Sequence, residues 1–252
     1  MAPASSPWHI TEMGAGLVQQ SATETRLSLP PAPASIYHDA QISDYRAPLR
    51  DFANSPPLRL ELRARARGAI CGTAGFGFWN HAFVPGQRGF RLPQALWFFF
   101  AGEANDIALA KGVAGHGWKA ATFNAKNWRF RALLPLAPLG FLLMRNRPLY
   151  EALWPLGQAA IGVAEAALDP SLLDEFHTYS IEWRADGAVF AVDGAVALRI
   201  RRVPRGPLGF IAWIDNQYAL VTPQGRLGHG LLTIPHEQSL YLSEISIRKL
   251  KS

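Results

Sequence analysis

The stretch from Leu58 to Ala66, LRLELRARA, alternates apolar and polar residues without a break. A period of two places Leu58, Leu60, Leu62 and Ala64 on one face of a strand and Arg59, Glu61, Arg63 and Arg65 on the other. That pattern predicts a strand with one dry and one wet face. GTAGFGFWNHAF and QALWFFFA follow as two further strands, and Gly75 and Gly77 in the first admit a bend or a close backbone approach. GWKAATFNA, HTYSIEWRAD, AVFAVDG, AVALRIRRVP, GFIAWIDNQYAL and SLYLSEISIRKL continue the series. Two Asp-Gly pairs, Asp186-Gly187 and Asp193-Gly194, mark tight hairpins. The chain up to about Tyr45 is rich in Pro and Ser, with short strand-like pieces such as TRLSL. Many short strands at hairpin spacing predict an all-β, two-sheet antiparallel sandwich or jelly roll.

One region breaks the pattern. Residues 130–173 hold few β-branched side chains and many Leu and Ala. RPLYEALWPLGQAAIGVAEAAL reads as helix, with Pro148 near its start and Pro155 marking a kink or a second start. FRALLPLAPLGFLLM is too apolar for a free surface loop, so it is expected to be covered, as a lid over one face of the sandwich or as packing against it. Arg129, Arg131, Arg145 and Arg147 flank it, which adds contact with a membrane surface as a third role. The longest apolar segment, Ala132 to Met144, is too short to span a bilayer and holds two prolines.

Length and composition narrow the class. A chain of 252 residues fits a single domain over 1–252 with the helical region inserted in it. A hydrophobic share of 49% against 17% charged residues describes a globular chain. The net charge of +6 raises nucleic acid as a partner. Against it, Arg63, Arg65 and Arg67 alternate along a strand face, and no zinc-finger spacing or RNA-binding aromatic signature is present, so no nucleic-acid role is expected. The single cysteine, Cys71, excludes an internal disulfide and fits a reducing compartment. The N-terminal MAPASSPWHITEMG lacks a charged start followed by an apolar run, and the expected location is cytoplasmic.

EFHTYSIEWRADGAVFAVDGAVALRI, with Phe176, His177, Tyr179, Ile181, Trp183, Phe190, Asp193 and Gly194, resembles the F-H-x-Y-x-I-x-W…F-x-x-D-G block of the concanavalin A-like lectin/glucanase superfamily. It is most like the family 16 glycoside hydrolases and their non-catalytic relatives. LSEISIRKL is similar to that family's last strand and LRLELRARA to an early one. The resemblance implies a jelly roll with a concave ligand-holding face and a structural role for His177. It also implies an E-x-D-x-x-E strand in the hydrolytic members, which sets two carboxyls about 5 Å apart for a retaining mechanism. This chain departs there. The nearest stretch, AGEANDIALAKG, carries Glu103 and Asp106 but Asn at 105 and Ala at 108, so standard glycoside hydrolysis is not expected. A structural calcium is common in the superfamily, yet no ligand set is identifiable.

Candidate chemistry gathers in three places. In GFIAWIDNQYAL, Ile211, Trp213, Asp215 and Gln217 would share one strand face. Asp215 there reads as a general acid or base with Gln217 orienting, or else as a strand end bonding its own backbone. Asn80 and His81 follow Trp79, and His81 is a candidate proton shuttle. Trp79, Trp118 and Trp213 are candidate stacking surfaces, whereas Trp97 and Trp183 are expected in the core. Lys119 is a candidate contact for an anionic group, and Glu103 and Asp106 are candidates at the ligand side. The histidines are dispersed, no metal-ligand spacing appears, and no cofactor is implied.

Two readings of the concave face stand at this point, beside a third in which the protein binds a membrane surface or a partner through the insertion. In the first, a closed and largely apolar pocket binds a hydrophobic small molecule and catalyses acid/base isomerisation or cyclisation through Asp215, His81, Asn80 and Gln217. In the second, the same face is a carbohydrate-binding module or an atypical glycosidase, with Glu103 or Asp106 joining Asp215. Oligomeric state is not readable from the sequence.

Overall fold

The computed structural model describes residues 8–46, 49, 51–82 and 91–251. Strands are numbered along the chain. One seven-stranded sheet runs in the order β1 (His9–Met13), β4 (Asp39–Ser43), β14 (Gly209–Asp215), β6 (Thr73–Trp79), β7 (Gln94–Ala101), β9 (Gly117–Asn124) and β10 (Ala164–Leu168). A second runs β13 (Ala195–Ile200), β12 (Gly187–Val192), β11 (His177–Arg184), β5 (Leu58–Arg67), β17 (Gln238–Lys249), β3 (Glu24–Leu29) and β2 (Leu17–Gln20). Both are antiparallel throughout. A small third sheet joins β16 (Leu227–Leu231), β15 (Gln217–Val221) and β8 (Asp106–Ile107). The expected all-β sandwich with a helical insertion is the observed architecture.

Alternation explains how the sandwich closes. Leu58, Leu60, Leu62 and Ala64 of β5 are buried. The residues between them point outward, where Arg59 pairs with Glu61 at 2.5 Å and Arg65 lies over the rings of Phe176 and Tyr241. The opposite sheet sends Phe76, Phe78, Phe98, Trp118 and Phe210 into the same core, where Tyr179, Ile181, Trp183 and Phe190 meet them. Each such buried side chain contributes about 2 kcal/mol. The Asp-Gly hairpin of β12 and β13 has Asp193 at φ 49° and Gly194 at φ 81°, the left-handed pair that a type I′ turn requires. Asp193 also accepts from the Thr178 N–H at 2.8 Å and bonds His177 Nδ1 at 2.5 Å, which gives His177 its strand-start role.

The structure corrects the sequence reading at several elements. The helical region is α1 (Trp128–Leu133), α2 (Ala137–Leu143) and α3 (Arg147–Ile161), with a 3-10 turn between the first two. Asn127 and Asn146 cap α1 and α3, and Gly162 ends α3 in the left-handed conformation. Helix does not continue to 173. AEAAL, a helical composition, is the edge strand β10, because pairing with β9 outweighs a weak local preference. The leucines expected to be covered are not, for α1 and α2 bury none of their residues. GFIAWIDNQYAL is two strands, since Asn216 breaks it between β14 and β15. The N-terminal part supplies β1 to β4, of which TRLSL alone was legible. Phe83, at the end of the predicted GTAGFGFWNHAF strand, and the first seven residues lie outside the described residues.

Candidate functional site

Each strand of the first sheet that sends one set of side chains into the core sends the other set outward. The outward set forms a second aromatic layer. Trp97 stacks on Trp79 at 5.6 Å and 26° and on Phe99 at 5.5 Å and 18°. It also meets Trp213 at 5.2 Å and the edge of Phe123 at 5.5 Å. Two glycines seat this layer. A Cβ on Gly75 would come within 2.9 Å of Trp213 Cη2, and one on Gly77 within 2.7 Å of Trp97 Cβ. GFGFW therefore alternates phenylalanine inward with glycine outward, and the glycines are the space in which the tryptophans lie.

Part of the layer is closed and part is accessible. Trp213, Phe99 and Ile211 are buried, packed with Ile107 of β8 and with Phe52. Trp79, Trp97 and Phe123 are half-buried. Trp79 Nε1 donates to Tyr45 Oη at 3.2 Å, and that hydroxyl lies 2.7 Å from His81 Nδ1. Trp97, expected in the core, is thus the centre of the outer layer. Trp118, expected at the ligand, faces the core against Phe76, Phe98 and Tyr179. Both faces of these strands are apolar, so alternation could not assign the side.

A buried carboxyl pair lies at the far end of the sheet. Asp215 on β14 is the register partner of Asp39 on β4 and of Thr73 on β6. Asp215 Oδ1 accepts from Thr73 Oγ1 at 2.9 Å and from the N–H groups of Thr73 and Gln217, each at 3.1 Å. Trp213 Nε1 donates to Thr73 Oγ1 at 3.0 Å, so one hydroxyl joins the ring layer to the carboxyls. Burial pushes the Asp215 carboxyl up to about 7 despite these bonds and one from Tyr37. Burial, and then the Asp215 charge, push Asp39 well above the carboxylate range. Burial and the neighbouring charge both disfavour ionising the two carboxyls together. Asp39 was not singled out in the sequence, because all five residues of DAQIS are buried and the stretch shows no alternation.

The expected catalytic constellation is not brought together. β6 and β14 pair from Thr73–Asp215 to Trp79–Gly209, so His81 and Asp215 stand at opposite ends, about 20 Å apart at the usual rise per residue. Asn80 is buried and ties the connection between β6 and β7, donating to Leu92 O at 2.9 Å and accepting from Gln94 N at 3.0 Å. Gln217 lies past the break and is exposed. Asn216 carries the break: Oδ1 accepts from His38 N at 2.9 Å, and Nδ2 donates to Ile36 O at 3.2 Å and Leu232 O at 2.9 Å.

Lys119 does face outward on β9 but is only 1% exposed. Its Nζ donates to Ile107 O at 3.1 Å and pairs with Glu165 on β10 at 3.7 Å, so it braces three strands instead of waiting for an anion. Glu103 is exposed in the turn after β7, and Asp106 is held by Arg226 at 2.9 Å. The outward positions of β7 itself are Ala95, Trp97, Phe99 and Ala101, with no carboxylate among them. Among the described residues no three His, Cys, Asp or Glu side chains converge on a metal position. Two surface depressions, of about 660 Å³ and 470 Å³, lie elsewhere, one beside Gly68 and Leu173 and one beside Arg63 and Phe176.

No protein-family profile matches the sequence, and no curated protein matches it. Solved structures do match. A Crh5 transglycosylase in complex with NAG aligns with a TM-score of 0.51 at 12% identity, over 100% of this chain and 82% of its own. A native glycosidic hydrolase aligns at 0.50 and 15% identity, over 99% and 92%. A legume lectin-like domain from Entamoeba histolytica aligns at 0.49 and 8% identity, over 97% and 90%. The structural neighbours are concanavalin A-like lectin and glucanase jelly rolls, and the likeness establishes the fold.

Proposed function

We propose that this jelly roll is a carbohydrate-binding protein whose ligand lies on the half-buried rings of Trp79, Trp97 and Phe123. The observation that carries the reading is the Trp79–Trp97 stack, two nearly parallel indoles on the outer face of the sheet. Flat ring faces at the surface match the apolar faces of pyranose rings, and nearby polar groups fix orientation. Tyr45 and His81, both buried, brace Trp79 from beneath through its Nε1–H and so hold its ring in place. The structural neighbour that holds NAG supports a sugar as the ligand class. Binding without the usual hydrolysis is expected, since the stretch nearest to an E-x-D-x-x-E strand has Asn105 and Ala108 where two of its acids would stand. Isothermal titration with chito-oligosaccharides and β-glucan oligosaccharides tests it. A saturable heat with one series, lost in Trp97→Ala, supports the reading, and silence with both series counts against it.

A second reading rests on a different observation. Trp213 packs with Phe99 and Ile211 in a buried apolar cluster, and burial raises both the Asp39 and the Asp215 carboxyl beside it. These features suit a compact apolar ligand and acid/base isomerisation or cyclisation. Native mass spectrometry of the purified protein separates the two. A co-purifying apolar metabolite, absent from Asp215→Ala, would favour the second reading over the first.

A further inference from the structure

More than half of the large apolar side chains exposed among the described residues lie between 128 and 156. Trp128 is 72% exposed, Leu136 and Leu142 are each 59%, and Leu156 is 67%. A soluble surface rarely leaves so many large apolar side chains bare in one short segment without a partner. We propose that this helical segment seats the protein on the surface of an anionic lipid bilayer.

Charge selects that partner. Lys126, Arg129, Arg131, Arg145 and Arg147 are all exposed, and no acidic residue occurs from 126 to 150. The cations bracket the leucines on both sides in sequence, as in segments that lie at a membrane interface with basic groups among the headgroups. Trp128, with the Arg129 guanidinium over its ring at 5.8 Å, is the residue type that settles at headgroup level. No helix of the described residues is long and apolar enough to cross a membrane, so α1, α2 and α3 would lie along the surface. A second copy of the chain fits less well, because a twofold contact would set the same cluster of arginines against itself.

The segment is held to the body through α3 and through Phe141 of α2, which lies against Gly225. Trp154 Nε1 donates to Leu109 O at 3.1 Å, and Glu151 pairs with Lys111. Those bonds fix α3 to the body beside β8, while α1 and α2 keep every side chain out of the core. The patch joins β9 to β10, at the edge of the sheet that carries the ring layer.

Vesicle flotation with the whole chain tests the proposal. The protein is expected to float with phosphatidylcholine vesicles that contain phosphatidylglycerol and to stay behind with phosphatidylcholine alone. The bound fraction is expected to fall with added salt. Leu136→Asp with Leu142→Asp, and separately Arg129→Gln with Arg131→Gln, Arg145→Gln and Arg147→Gln, are each expected to weaken partition by about tenfold or more. These positions are exposed, so melting temperatures should match the parent. Failure to float with anionic vesicles overturns the proposal, as does equal binding to neutral ones. A stable dimer in sedimentation that Leu142→Asp dissociates would assign the patch to a second copy and overturn it too.

Discussion

Asp39 and Asp215 sit opposite each other on β4 and β14, both buried, on the face of the sheet that carries the tryptophans. Asp215 has its carboxyl raised from 3.8 to about 7, chiefly by burial. The native state therefore keeps a proton that the unfolded chain has already lost. Its contribution to stability is whole below about pH 4 and is lost as pH rises through about 7. Asp215→Asn removes that loss. Relative to the parent, the variant should gain stability between about pH 4 and pH 8, by on the order of a few kcal/mol. Chemical denaturation across that range checks it, and a difference that stays constant with pH would contradict it.

Asn216 → Ala addresses the break between β14 and β15. The side chain is fully buried and bonds three backbone groups of two other segments. Alanine leaves one N–H and two carbonyls without those partners, with no room gained. The variant is expected to lose about 3 kcal/mol. A melting temperature within a degree or so of the parent would show that water or a local shift replaces the bonds.

Lys119 and Glu165 form a buried pair across β9 and β10. Burial depresses the lysine and raises the glutamate, and each partner opposes the other's shift. Lys119→Met strands a carboxylate that also accepts from Ala110 N at 3.2 Å. The single variant should lose about 3 kcal/mol or more, and adding Glu165→Gln should restore most of it. Additive losses in the double variant would mean that the pair is not coupled.

The sandwich was legible because its strands obey simple rules. LRLELRARA alternates, and the Asp193-Gly194 turn supplies its own left-handed residues. The insertion was legible as helix from its Leu and Ala content, yet its end was misplaced, since AEAAL has no local reason to pair with β9. The ring layer was harder. Trp97, Trp118 and Trp213 lie in strands whose two faces are both apolar, so period two separates the faces without saying which is core. Asp39 was hidden in a short buried strand. The distance between His81 and Asp215 depends on which strands neighbour one another, and the sequence carries no direct signal for that order.

The central claim is that a sugar lies on Trp79 and Trp97. The most direct measurement follows the indole N–H resonances of the tryptophans by NMR while chito-oligosaccharides and β-glucan oligosaccharides are added. Trp79 and Trp97, half-buried on the outer face, are predicted to shift and saturate together with one series. Trp118 and Trp183, enclosed in the core, are predicted to stay in place. Indole signals that do not move with either series, or that move only at core positions, would contradict carbohydrate binding at this face.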